Sequence, residues 1–146
     1  MSKKKTIVIC SSGAFYKHVV ELADQLRALG YKVVIPATAE QMRISGDYDI
    51  SKIKTWYTNP KDVHIKVKKM RGHFEEVAAG DAILLVNDDK PTQPNYIGPN
   101  GLMEWGLAAY LGKSVFILHK VPKRSNFYEE SLTAVVLNGD LSKIKL

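Results

Sequence analysis

Five short aliphatic and β-branched runs punctuate the chain, and their spacing limits the possible folds more than any other feature. Thr6 to Cys10, Lys32 to Ile35, Ala82 to Val86, Ser114 to Leu118 and Thr133 to Leu137 are each four or five residues long. Continuous apolar runs of this length read as strands buried on both faces. Between them lie stretches of helical period. Tyr16 to Leu29 carries Val19, Val20, Leu22, Ala23, Leu26 and Leu29 and closes at Gly30. Lys61 to Ala79, behind Pro60, carries Val63, Val67, Met70, Phe74, Val77 and Ala78. A third helix, capped by Asn100 and ended by Gly112, carries Leu102, Trp105, Leu107, Ala108 and Leu111. Strands alternating with helices define an α/β three-layer sandwich. Its five-stranded parallel sheet is expected in the flavodoxin/Rossmann-like order 2-1-3-4-5, with right-handed crossovers.

Residues 36–59 fit this scheme least. Gly46, Asp47 and Asp49 break any period, and Trp56 and Tyr57 are the only large anchors, which is the pattern of a flap over a crevice. A polar segment, His119 to Ser131, with room for a short helix, leads to the last strand. At 146 residues, residues 1–146 make one domain. Hydrophobic residues at 45% and charged residues at 25% are those of an ordinary globular protein rather than a disordered one. No run approaches a membrane span, and the lysines at 3 to 5 lead straight into a strand without the apolar core of a signal peptide, so the expected location is cytoplasmic.

The formal charge of +6 raises the possibility of a polyanion partner. The lysines cluster at Lys3 to Lys5 and Lys61 to Lys69 without an arginine and aromatic stripe, so they read as a solvated tail and helix face rather than a nucleic-acid surface. Cys10 is the only cysteine, and with four scattered histidines it offers no zinc-ligand spacing. It reads as a small core residue.

Chemistry should collect outside the carboxyl ends of the strands. The turn Ser11-Ser12-Gly13-Ala14 aims backbone N–H groups and two hydroxyls at a helix start, a setting for an anion or a sugar hydroxyl and equally ordinary turn chemistry. Asp88 to Gly98 is an eleven-residue loop with three charges and two prolines, long enough to imply a task. Within it Asn87, Asp88 and, at its far end, Asn100 are candidate hydroxyl ligands or simple turn and cap residues. Tyr96 is placed to stack on a base, whereas Trp105 falls on the apolar helix face. Glu104, near the first turn of its helix, has two readings: a catalytic carboxylate, or an acidic residue favoured there by the helix dipole. His73 is likewise either a packed or surface histidine or a proton donor.

Gly98-Pro99-Asn100-Gly101-Leu102-Met103-Glu104-Trp105-Gly106-Leu107-Ala108, followed by Leu111-Gly112-Lys113-Ser114-Val115, resembles the signature of the nucleoside 2-deoxyribosyltransferase superfamily. The Asp81 to Val86 strand is similar to its preceding strand, and Asn95-Tyr96-Ile97-Gly98 and Leu137-Asn138-Gly139-Asp140 resemble its small relatives. The resemblance implies cleavage or transfer at the N-glycosidic bond of a nucleoside or nucleoside 5′-monophosphate, with no metal or cofactor. Glu104 occupies the position of the nucleophile, which suits an oxocarbenium-like transition state. Histidine 73 stands where the family commonly has an aspartate, and Gly98 where relatives place an Asp or Ser that contacts the sugar. Asp88 and Asp89 are then the substitutes for these contacts, Asp88 or His73 assisting the leaving base. Ser12 resembles the family's nucleotide-binding turn, here without its arginine. A homodimer or dimer of dimers is also implied, with residues 138–146 reaching a neighbour's site. The departures equally fit a nucleotide-binding or sensor module that has lost the reaction.

Overall fold

The computed structural model describes residues 2–146. Five parallel strands, β1 (Thr6–Ser11), β2 (Lys32–Val34), β3 (Ala82–Val86), β4 (Ser114–Ile117) and β5 (Val135–Val136), form one sheet in the order β2-β1-β3-β4-β5. β1 lies beside β3 from Ile7 opposite Ala82 to Ser11 opposite Val86. The alternating side chains of a strand face opposite layers, and both layers here are apolar. Ile7, Ile9, Leu84 and Phe116 face α1 (Tyr16–Ala28) and α2 (Ala37–Ser45), whereas Val8, Cys10, Ile83, Leu85 and Ile117 face α3 (Val63–Ala79) and α4 (Pro99–Tyr110). That two-sided burial explains why the strands are continuous apolar runs. A short α5 (Tyr128–Ser131) precedes β5, and the tail returns to the first layer. There Leu141 and Ile144 are buried, and Tyr31 Oη donates to the Ile144 carbonyl at 3.2 Å. Among the described residues no helix is long and apolar enough to cross a membrane.

Four local expectations are corrected. The stretch read as aperiodic contains α2, which is polar and buries only Thr38, Ala39 and Met42 before Gly46, at φ +74°, turns the chain. The expected apolar face of α3 is half wrong: Val63 and Val67 are each 49% exposed, while His73 is buried beside Val77. Its helix begins on the sheet's far margin, where nothing covers the first turns. β5 pairs only over Val135 and Val136, two residues of the five expected.

The fourth correction bears on function. Gly98, in extended backbone, is the N-cap of α4 with Pro99 at the first helical position, so Asn100 lies inside the helix and caps nothing. Glu104 is therefore well past the first turn, which contains no acidic residue. Gly101, Glu104, Trp105 and Ala108 form the buried face of α4 at helical spacing. The helix-dipole explanation of Glu104 thus falls away.

Candidate active site

The chain reverses its direction of sheet growth between β1 and β3, and in open α/β sheets ligands gather at that switch, outside the carboxyl ends of the strands. Glu104 lies there. It is 6% exposed, and its Oε2 is the buried side-chain oxygen that accepts no hydrogen bond among the described residues. A carboxylate oxygen left this way is costly, so the position calls for an explanation.

His73, from α3, supplies part of it. Its Nε2 is 3.9 Å from Glu104 Oε2. The same Nε2–H donates to the carbonyl of Ile9 at 3.1 Å, and Nδ1–H donates to Glu76 Oε2 at 2.7 Å. A carbonyl and a carboxylate only accept, so making both bonds requires the imidazolium. Burial pulls the His73 pKa down, but the Glu76 hydrogen bond and the Glu104 charge outweigh it and hold it above the ordinary 6.5. Burial pushes the Glu104 carboxyl above its ordinary 4.5, against the pull of the His73 charge, the Cys10 thiol and Lys66. Cys10, fully buried at the end of β1, is also pushed up by burial and by Glu104. The Cys10 thiol, a ring nitrogen of His73 and a carboxylate oxygen of Glu104 lie within 4.8 Å of one another.

Sequence reasoning missed Cys10, Tyr16 and Lys66 as members of this site. Tyr16 opens α1, and its phenol is raised by burial and by the Glu104 charge. The available signal was positional: Cys10 precedes the first turn and Tyr16 follows it. Over that turn lies the segment 46–62, none of whose residues is buried. A Cβ on Gly13 would stand 2.7 Å from Ile50 Cδ1, so the turn accepts the segment only because residue 13 is glycine. Lys66 Nζ sits 5.9 Å from the Trp56 ring centre, extending the cover toward α3. Ser11 Oγ donates to the Ser12 carbonyl at 2.9 Å, and Ser12 caps the short 3-10 turn Gly13–Phe15 through its backbone only.

The remaining expected residues gather elsewhere along the same edge. Asn87, fully buried, accepts from the His119 N–H at 2.8 Å and donates to the His119 carbonyl at 2.9 Å. Its amide is consumed in tying the end of β3 to the end of β4, which leaves little for a sugar hydroxyl. Asp88 accepts from His18 Nδ1 at 2.6 Å and from His119 Nε2 at 3.1 Å. Asp89 Oδ1 accepts from the Asn95 N–H at 2.8 Å and so fixes the loop, where Asn95 has φ +51°. Asp88, Asp89, Asn95, His119, Lys120 and Asn138 line an open cleft of about 500 Å³. Tyr96 is half-buried, edge-on to Phe15, with Lys90 Nζ 3.8 Å from its ring centre. A side chain at Gly98 would meet the Tyr96 ring at 3.3 Å, so the glycine serves packing as well as capping. The structure thus brings Glu104 and His73 together under the first turn and puts Asp88 and Asp89 in the neighbouring cleft.

No protein-family model matches the chain, and no curated protein matches its sequence.

Proposed function

We propose that the protein cleaves, or transfers the sugar across, the N-glycosidic bond of a nucleoside or nucleoside 5′-monophosphate, with Glu104 as nucleophile. The observation that carries this reading is the buried Glu104 Oε2 without a hydrogen-bond partner at the sheet's switch point. The resemblance of residues 98–108 to the deoxyribosyltransferase signature supports it. In this reaction Oε2 bonds to the anomeric carbon as the C–N bond breaks, and the bonding pair leaves with the base. The base takes up a proton, and water or a second base then displaces Glu104 from the sugar.

The proton for the base must arrive from the face opposite the nucleophile. His73 lies 3.9 Å from the attacking oxygen itself and spends both ring protons on Glu76 and Ile9, so it acts as a positioning residue that keeps Glu104 ionised. This reading assigns the acid to Asp88, whose carboxyl is served by two histidines. Substrate entry displaces the segment 46–62, the part of the chain held by the fewest buried groups.

A second reading, a nucleotide sensor without turnover, is favoured by one observation: Glu104 is 6% exposed and already faces a cation. Incubation with nucleosides and their 5′-monophosphates, followed by chromatography for free base and intact-mass analysis for a sugar adduct, separates the two. Base release that disappears in Glu104→Ala supports the enzyme. Thermal stabilisation by a nucleotide without base release supports the sensor, and release undiminished in Glu104→Ala refutes the mechanism.

A further inference from the structure

We propose that Cys10, His73 and Glu104 form a binding site for a thiophilic divalent cation of the zinc class. A thiol, an imidazole and a carboxylate are three donors that zinc accepts together. Bond lengths of 2.0 to 2.3 Å in a tetrahedron put neighbouring donor atoms about 3.3 to 3.7 Å apart. Here the three lie within 4.8 Å of one another, and the His73 to Glu104 separation is 3.9 Å, so small side-chain movements suffice. Burial is nearly complete, at 0% exposed for Cys10, 8% for His73 and 6% for Glu104, and the Glu104 oxygen aimed into the cluster has no other partner.

The surroundings repeat a feature of histidine ligands. His73 Nδ1–H donates to Glu76 Oε2 at 2.7 Å, which fixes the ring and leaves Nε2 facing the cluster. A carboxylate behind a ligating imidazole orients the ring and strengthens its donor nitrogen. On binding, the thiol proton and the Nε2 proton now held by the Ile9 carbonyl leave to solvent, and a water completes the fourth position. Thiolate and carboxylate together balance the charge of the cation. Magnesium and calcium prefer all-oxygen shells, so the thiol selects against them.

The site does not depend on the glycosidic reading. If both hold, the cation occupies the oxygen that the sugar needs and is an inhibitor. The test is therefore made without substrate. The full chain, stripped with chelator, is titrated with cobalt(II) and then with zinc. The expected result is a sulfur-to-cobalt charge-transfer band with tetrahedral ligand-field bands, displaced by zinc and absent in Cys10→Ala of unchanged circular dichroism. Glu76→Gln weakens binding about 10- to 100-fold while retaining the band. Absence of the band in the native chain, or its persistence in Cys10→Ala, overturns the proposal. Should Cys10→Ala fail to fold, zinc anomalous scattering from native crystals decides: a peak bridging the three side chains supports the site, and zinc bound elsewhere or not at all overturns it.

Discussion

Replacing Asn87 tests whether this residue is a structural tie or a ligand. Its side chain closes two hydrogen bonds on the backbone of His119, at 2.8 and 2.9 Å, where β3 and β4 end. Asn87→Ala deletes both and leaves a backbone N–H and a carbonyl unmatched. Each such group costs about 1 to 3 kcal/mol when water cannot reach it. His119 is half-buried, so solvent recovers part of this, and the expected loss is about 2 to 4 kcal/mol. For a domain of this size that lowers the melting temperature by about 10 °C. Asn87→Asp is the sharper variant. Its Oδ1 still accepts from His119 N–H, but the second oxygen now faces the His119 carbonyl without a proton between them. The folded state therefore favours the protonated acid and raises its pKa. A raised carboxyl contributes stability below the unfolded pKa of about 3.9 and loses it as pH rises through the folded value, so the deficit of Asn87→Asp against wild type shrinks as pH falls from 7. Equilibrium urea unfolding of the three proteins at neutral and acidic pH measures this. Asn87→Ala within about 0.5 kcal/mol of wild type, the range of an ordinary surface substitution, refutes the tie.

Two further outcomes follow from the site. Gly13→Ala puts a methyl group into Ile50, but the contact is the end of a flexible side chain on a segment without buried residues. The cost is about 1 kcal/mol, the low end for overpacking, and it appears as faster amide exchange confined to 46–62 that adding Ile50→Ala reverses. Unchanged exchange would show that Ile50 does not hold the cover. In chelator-treated protein, the folded pKa values of Glu104 and His73 both lie above their ordinary 4.5 and 6.5. Each then contributes stability that is full below its ordinary value and lost as pH rises through the folded one. Stability should fall from about pH 4.5 upward through neutrality, and Glu104→Gln should flatten the lower part of that fall. A wild-type curve that rises over this range contradicts the imidazolium and buried-acid pair.

The five apolar runs fixed the architecture before any coordinate was needed. A parallel sheet covered by helices on both faces demands strands apolar on every residue, and few other arrangements do. Signals weakened where an element meets the core on one narrow side. α2 buries three residues and left no readable period, and the first turns of α3 carry Val63 and Val67 past the edge of anything that covers them. The buried stripe Gly101, Glu104, Trp105, Ala108 was present in the sequence, yet an assumed cap at Asn100 moved Glu104 into the first turn and gave it a dipole explanation it does not have.

What the order of residues determined by itself was the alternation of strand and helix, and hence the sheet edge at which a carboxylate near Gly98 to Ala108 would emerge. Only the tertiary structure decided what meets that carboxylate. Cys10, His73 and Glu104 come from a strand and two helices far apart in the chain, and no spacing rule links them. Parallel pairing of β1 with β3 brings the strand ends level, and the helices packed on that face carry His73 and Glu104 to the same end. Asn87 shows the converse: its polarity advertised a ligand, and the backbone of the adjacent strand end claimed both of its hydrogen bonds first.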